Sequence, residues 1–185
     1  MPTEETAEPP LADLEAAVQR TPADAAVWWQ LASAYSAMKL HDLTVEMLQQ
    51  AARLSPSDAE LQYQLGGALV DAKRSAEAIP HFQEAARLAP NTAKRWYGLG
   101  AALQVTGAHA AAAEHLRKAL RLDPGMAAAW KYLAWALYGA DEYADAIPAF
   151  EKAIAREPRS PPSRRRPGSS RTTPPPGTSS APPTA

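Results

Sequence analysis

The sequence predicts an all-α solenoid of repeated helix pairs, on three observations. Pro22, Pro56, Pro90, Pro124 and Pro158 stand 34 residues apart. Large side chains keep the same step, in the columns Trp28, Gln62, Trp96, Trp130; Leu31, Leu65, Leu99, Leu133; and Leu48, Phe82, Leu116, Phe150. Small residues do so as well, in the columns Ala32, Gly66, Gly100, Ala134 and Ala51, Ala85, Ala119, Ala153, and at such places two helix backbones approach closely. Two short helices cannot bury both their faces on each other, so a period of this length implies successive pairs stacked into one continuous core.

Taken in order, residues 1–10 are acidic and carry proline, and are predicted to be disordered. Leu11–Arg20 is predicted as a helix with Leu14, Ala17 and Val18 on one face. Pro22 keeps it in phase with the repeats, so 11–24 reads as a half-unit covering the apolar face of the first full pair. First helices are predicted over 26–38, 60–72, 94–106 and 128–140, and second helices over 42–54, 76–88, 110–122 and 144–156. The pair beginning at Ala93 shows the pattern best. Trp96, Leu99 and Leu103 fall on one helical face, Gly107 breaks the chain, and Ala112, Leu116, Ala119 and Leu120 form the second face. Pro124 then ends the helix, because its ring disfavours helical backbone in the residue before it. The turns read KLHD, AKRS, TGAH and GADE. Pro80 and Pro148 fall early in second helices, where a missing N–H costs little. The tail 159–185 has no Leu, Ile, Val, Phe, Met or aromatic residue and is predicted to be disordered; its abrupt composition also reads as a truncation or frame scar.

Composition removes several kinds of chemistry. Without cysteine there is no disulfide, thiolate nucleophile or zinc–thiolate site. No basic segment followed by an apolar run opens the chain, and no stretch has the length of a membrane span, so the expectation is a cytoplasmic protein away from membranes. Residues 1–158 carry a net charge of −6 and the tail +5, which argues against the body holding nucleic acid. The histidines are His41, His81, His109 and His115. His81 and His115 recur because the repeat recurs, and the spacing of His109 and His115 does not suit two ligands on one helical face. Asp141, Glu142 and Asp145 open a helix, where acidic groups favour the positive end of its dipole. No phosphate loop, dinucleotide fingerprint or nucleophile elbow occurs. The reading is therefore not an enzyme, with no catalytic residue, cofactor or metal.

The spacing W-x2-L-G-x2-Y, then A-x3-F, then P, in a 34-residue unit, resembles the tetratricopeptide repeat. Four units match, 25–58, 59–92, 93–126 and 127–160. Gln62 departs from the aromatic column, Thr44 from the small column, and Leu69, Leu103 and Leu137 from the tyrosine seen at Tyr35. The resemblance implies a right-handed α-solenoid of four helix-turn-helix repeats with an N-terminal half-repeat cap. It also implies that the first helices line a concave groove. On that register the partner-binding residues are Trp29, Tyr63, Tyr97, Lys131 and Trp135. Tyr132 and Tyr138 are expected to pack between neighbouring first helices. The lysine, asparagine and arginine columns with which some arrays clamp a C-terminal carboxylate are missing here; only Lys94 and Lys131 are basic.

The implied function is a protein-interaction scaffold holding a peptide or helix in an aromatic-lined groove. Two other readings remain open: a non-catalytic recognition region of a larger, truncated enzyme such as a repeat-fused transferase, and an adaptor that binds a polyanion through its arginine tail. Nothing apolar follows the last predicted helix, so Ile147, Phe150 and Ile154 are expected to form an exposed C-terminal edge prone to self-association.

Overall fold

The computed structural model describes residues 11–156; the expectations for 1–10 and 159–185 lie outside them. Nine helices and no strand are present among the described residues: α1 (Leu11–Arg20), α2 (Ala25–Ala37), α3 (His41–Leu54), α4 (Ala59–Asp71), α5 (Ser75–Leu88), α6 (Ala93–Val105), α7 (His109–Leu122), α8 (Ala127–Gly139) and α9 (Tyr143–Arg156). Each helix packs on the next, and the first helices α4, α6 and α8 also touch in series, the mark of a stacked solenoid. Most predicted helix starts fall one residue late, within the fraying expected of helix ends. One core runs through the pairs, with Leu65, Leu69, Leu99, Leu116 and Leu137 almost wholly enclosed. α1 closes the N-terminal face by burying Leu14 and Val18 against Leu31, and the Tyr35 hydroxyl donates to Glu15 at 2.8 Å.

The proline and tryptophan columns act together. The indole Nε1–H of Trp28, Trp96 and Trp130 donates to the carbonyl of Pro22, Pro90 and Pro124 at 2.8, 2.7 and 3.0 Å. Gln62 makes the equivalent bond to Pro56 at 3.2 Å. Each first helix is thereby tied to the loop that leads into it, and the amide of Gln62 reproduces the reach of the indole. Its other end meets His81 Nδ1 at 2.9 Å, whereas His115 stacks on Trp96 at 5.5 Å. Burial pushes both histidines below their ordinary pKa.

A further column governs the turns inside the pairs. Lys39, Lys73, Gly107 and Asp141 all have positive φ, from 59° to 85°. The residue after each donates its N–H five residues back, from Leu40 to Tyr35, Arg74 to Leu69, Ala108 to Leu103 and Glu142 to Leu137. This is the left-handed helix stop in which a 6→1 bond closes the last turn. Only Gly107 carries the residue best suited to it, so the charged turns had concealed a backbone requirement. Pro80 and Pro148 sit well inside α5 and α9 rather than at their starts. Ala76 and Ala144, one turn earlier, are exposed, and both helices continue through the prolines.

Gly66 and Gly100 stand at close crossings, as the small-residue column predicts. A Cβ at Gly100 would lie 2.6 Å from Leu116 Cγ and 3.2 Å from the backbone oxygen of Ala112, and one at Gly66 would lie 2.8 Å from the Phe82 ring. Gly100→Leu is expected to cost about 1–3 kcal/mol or more by overpacking. Gly107→Leu meets no atom within 4 Å but must hold φ near +85°, at a cost of about 1–2 kcal/mol. Urea denaturation should therefore rank Gly100→Leu as the more damaging change. Equal midpoints would remove this crossing from the account.

At the last pair, Ile147 is 62% and Ile154 70% exposed. In the column of Ile147, Val45 and Ala113 are buried and Ile79 is half-buried, and Leu120, in the column of Ile154, is buried. Phe150 departs from the expectation of an exposed edge: it is half-buried, with its ring edge-on to Trp135 at 5.2 Å. Trp135 supplies part of the cover that a further helix gives elsewhere.

Candidate partner-binding groove

The five residues expected to line a groove lie on first helices but in different surroundings. Trp29, on α2, is exposed and sits between two concavities. One, of about 950 Å³, lies where the α1–α2 and α3–α4 loops meet and is walled by Asp24, Asp58, Glu60 and Leu61. The other, of about 250 Å³, runs between α2 and α4 past Ser33, Ser36, Gln64, Gly67 and Asp71. Lys131 and Trp135, on α8, share a third recess of about 340 Å³ with Gln104, Val105 and Tyr132. Both tryptophans therefore face open space at opposite ends of the array, at 42% and 48% exposure.

Tyr63 and Tyr97 are half-buried between them. Tyr63 packs on Phe82 at 5.6 Å, with Lys94 Nζ 5.1 Å from its ring centre. Tyr97 meets Tyr132 edge-on at 5.6 Å. Burial, followed by the neighbouring Tyr132 and Tyr63, pushes the Tyr97 phenol up to about 12, so it stays a neutral donor. Tyr132 thus packs between first helices as expected. Tyr138 does not: it is exposed, edge-on to Trp135 at 6.1 Å and 5.3 Å from Tyr143. These rings enlarge the Trp135 end, an addition invisible to a register that counts only first-helix columns, because Tyr143 belongs to α9.

Two residues escaped the sequence reading. Gly98 follows Tyr97 on α6, and its space is filled: a Cβ there would fall 2.8 Å from the Phe82 ring and 3.1 Å from Tyr63. Arg95 occupies a column that is Val27, Leu61 and Ala129 in the other pairs, and it is buried. Its guanidinium reaches Glu60 on α4 at 3.1 Å, and Lys94 joins the same carboxylate at 3.1 Å. A charge in an apolar column with an acid one unit away was the available clue. Among the described residues no group of three or more His, Asp or Glu side chains could hold a metal ion, and no helix is long and apolar enough to cross a membrane.

Models of the tetratricopeptide repeat match residues 25–58, 45–93 and 106–165. No curated protein matches. Among solved structures the chain is similar to a MamA protein, with 25% identity and a TM-score of 0.74 over 80% of each chain. It is also similar to YrrB, described as a TPR protein with an unusual peptide-binding site, with 23% identity and a TM-score of 0.74 over 80% of this chain and 77% of that one. MamA from Desulfovibrio magneticus RS-1 gives 22% identity and a TM-score of 0.73, covering 80% and 83%. The 34-residue period, the stacked helix pairs and these matches agree, and the chain belongs to the tetratricopeptide repeat family.

Proposed function

We propose that the chain is a protein-interaction scaffold, divided at 34-residue steps into four units, whose concave face holds a partner segment at two aromatic stations, Trp29 and Trp135. The observation that carries this reading is that both tryptophans are held in open recesses beside polar side chains. Rigid aromatics in such places give large contact area at small entropic cost, and they dominate the energetics of many interfaces. Lys131 adds a cation at the second station, and Tyr97 a neutral hydroxyl between the two. The family membership and the peptide-binding site named for YrrB support binding of this kind without identifying the partner.

The test begins with peptides selected from a random display library on the full chain. Trp29→Ala or Trp135→Ala is expected to weaken the selected peptides by about 2 kcal/mol, roughly 30-fold, in calorimetric titrations, with helical circular dichroism unchanged. Tyr63→Ala should instead lower the melting temperature, because its ring supports Phe82. If bound peptides protect α3, α5 and α7 from hydrogen exchange and leave the first helices unprotected, binding is on the convex face and the reading fails.

A second reading rests on the exposed Ile147 and Ile154, whose counterparts Val45, Ala113 and Leu120 are buried. This end suits contact with the same end of a second copy.

A further inference from the structure

We infer that the recess beside Trp29 is a cation-accepting pocket, and that its occupant is this chain's own segment 159–171, RSPPSRRRPGSSR. The inference rests on the proposed reading of Trp29 as a ligand-facing residue and adds the chemistry of what it meets.

The recess combines an aromatic wall with an acidic rim. Trp29 and Leu61 give it an apolar side, and Asp24, Asp58 and Glu60 face Arg20 as the one basic residue of its lining. Glu60 is already engaged by Lys94 and Arg95. Asp24 and Asp58 are not: each caps a helix through Oδ1, and among the described residues neither forms an ion pair. A guanidinium suits this arrangement, since its face stacks on an indole while its edge donates to carboxylates.

The molecule supplies an internal comparison. Trp96 carries Lys118 Nζ at 4.3 Å from its ring centre, and Trp130 carries Lys152 Nζ at 4.5 Å. Among the described residues Trp29 has neither a cation over its ring nor an aromatic partner, although it is among the more exposed of the aromatics.

Charge and topology select the occupant. Residues 159–171 contain five arginines and no acid, whereas residues 1–158 carry a net −6. The loops α1–α2, α3–α4, α5–α6 and α7–α8 lie in succession along one edge of the solenoid, and the recess opens between the first two. The chain leaves the described structure on that same edge, where Arg156 Nε donates to the Pro124 carbonyl at 2.9 Å. Neighbouring first helices in such a stack lie about 10 Å apart, so two to three steps back to the recess span about 20–30 Å. Arg164, Arg165 and Arg166 come 8 to 10 residues after Arg156, a reach of about 25–31 Å for an extended proline-bearing chain.

The experiment compares the full-length protein with its full-length Arg164→Ser/Arg165→Ser/Arg166→Ser variant. The probe is a fluorescein-labelled synthetic peptide of residues 159–171, followed by anisotropy. The variant is expected to bind the probe at least about 10-fold more tightly than the unaltered chain, whose own segment competes for the recess. Within the variant, Trp29→Ala should weaken the probe about 10-fold. Asp24→Asn/Asp58→Asn should do so too while keeping both helix caps, because asparagine caps as well as aspartate. Raising NaCl to 1 M should weaken it further. Equal affinity for the unaltered chain and the variant would overturn the chain's own segment as occupant. No binding to either, or binding indifferent to both Trp29→Ala and the Asp→Asn pair, would overturn the pocket. None of these failures touches the Trp135 station, which the library-selected peptides test separately.

Discussion

Phe82→Ala is expected to lower the free energy of unfolding by about 3–5 kcal/mol. The ring is buried, and a Cβ added at Gly66 on α4 or at Gly98 on α6 would fall 2.8 Å from it. Phe82 therefore fills a slot made by the absence of side chains on the helices to either side. The decisive measurement is a double-mutant cycle. In the unaltered chain Gly98→Ala should cost about 1–3 kcal/mol, because its methyl group enters the ring. In the Phe82→Ala background the ring is gone and only the 3.1 Å approach to Tyr63 remains, so the cost should fall sharply. Urea denaturation of the four proteins gives the coupling energy directly. A cost for Gly98→Ala that is the same in both backgrounds would show that ring and glycine do not share the slot.

Ile147→Glu/Ile154→Glu is expected to weaken end-to-end association by about 100-fold or more, about 3 kcal/mol. A contact between identical ends uses the same patch from both copies, so the double variant removes four apolar side chains at once. Each isoleucine, if fully buried there, contributes roughly 1.5–3 kcal/mol. Phe150→Glu would be a poorer test than the sequence suggests, since the ring is packed against Trp135 and its loss would disturb α8 and α9 as well. Sedimentation of a dilution series reads the outcome. An unaltered chain whose mass is that of one copy at every concentration would refute the contact.

The fold was legible because a 34-residue period repeats the same local physics, and independent columns report it together. Trp96, Leu99 and Leu103 announce a helical face, and Pro124 its neighbour's end, without reference to anything distant. The surroundings of the candidate site residues were legible only in part. Trp29, Lys131 and Trp135 face open space where the register put them, but Tyr63 and Tyr97 lean into the seams between first helices. Tyr63 packs on Phe82 of its own unit but also against Gly98 of the next, and Tyr97 meets Tyr132 of the next, and a single unit's pattern holds no information about its neighbours. The left-handed column of Lys39, Lys73, Gly107 and Asp141 was hidden for a different reason. A 6→1 bond constrains backbone, and three of the four residues there give no sign of it in their side chains.

The slot around Phe82 also means that the units are not interchangeable. Excising residues 93–126 would keep the period and every proline in phase, but it would bring Tyr132 to the place of Gly98, with a phenol ring directed at Phe82. Excising 59–92 would set Gly98 opposite Leu48, and nothing would fill the gap that suits a phenylalanine. The array is thus written in an order, like words that share a metre but not a meaning. A shortened or shuffled descendant would have to rewrite its seams before it could stack.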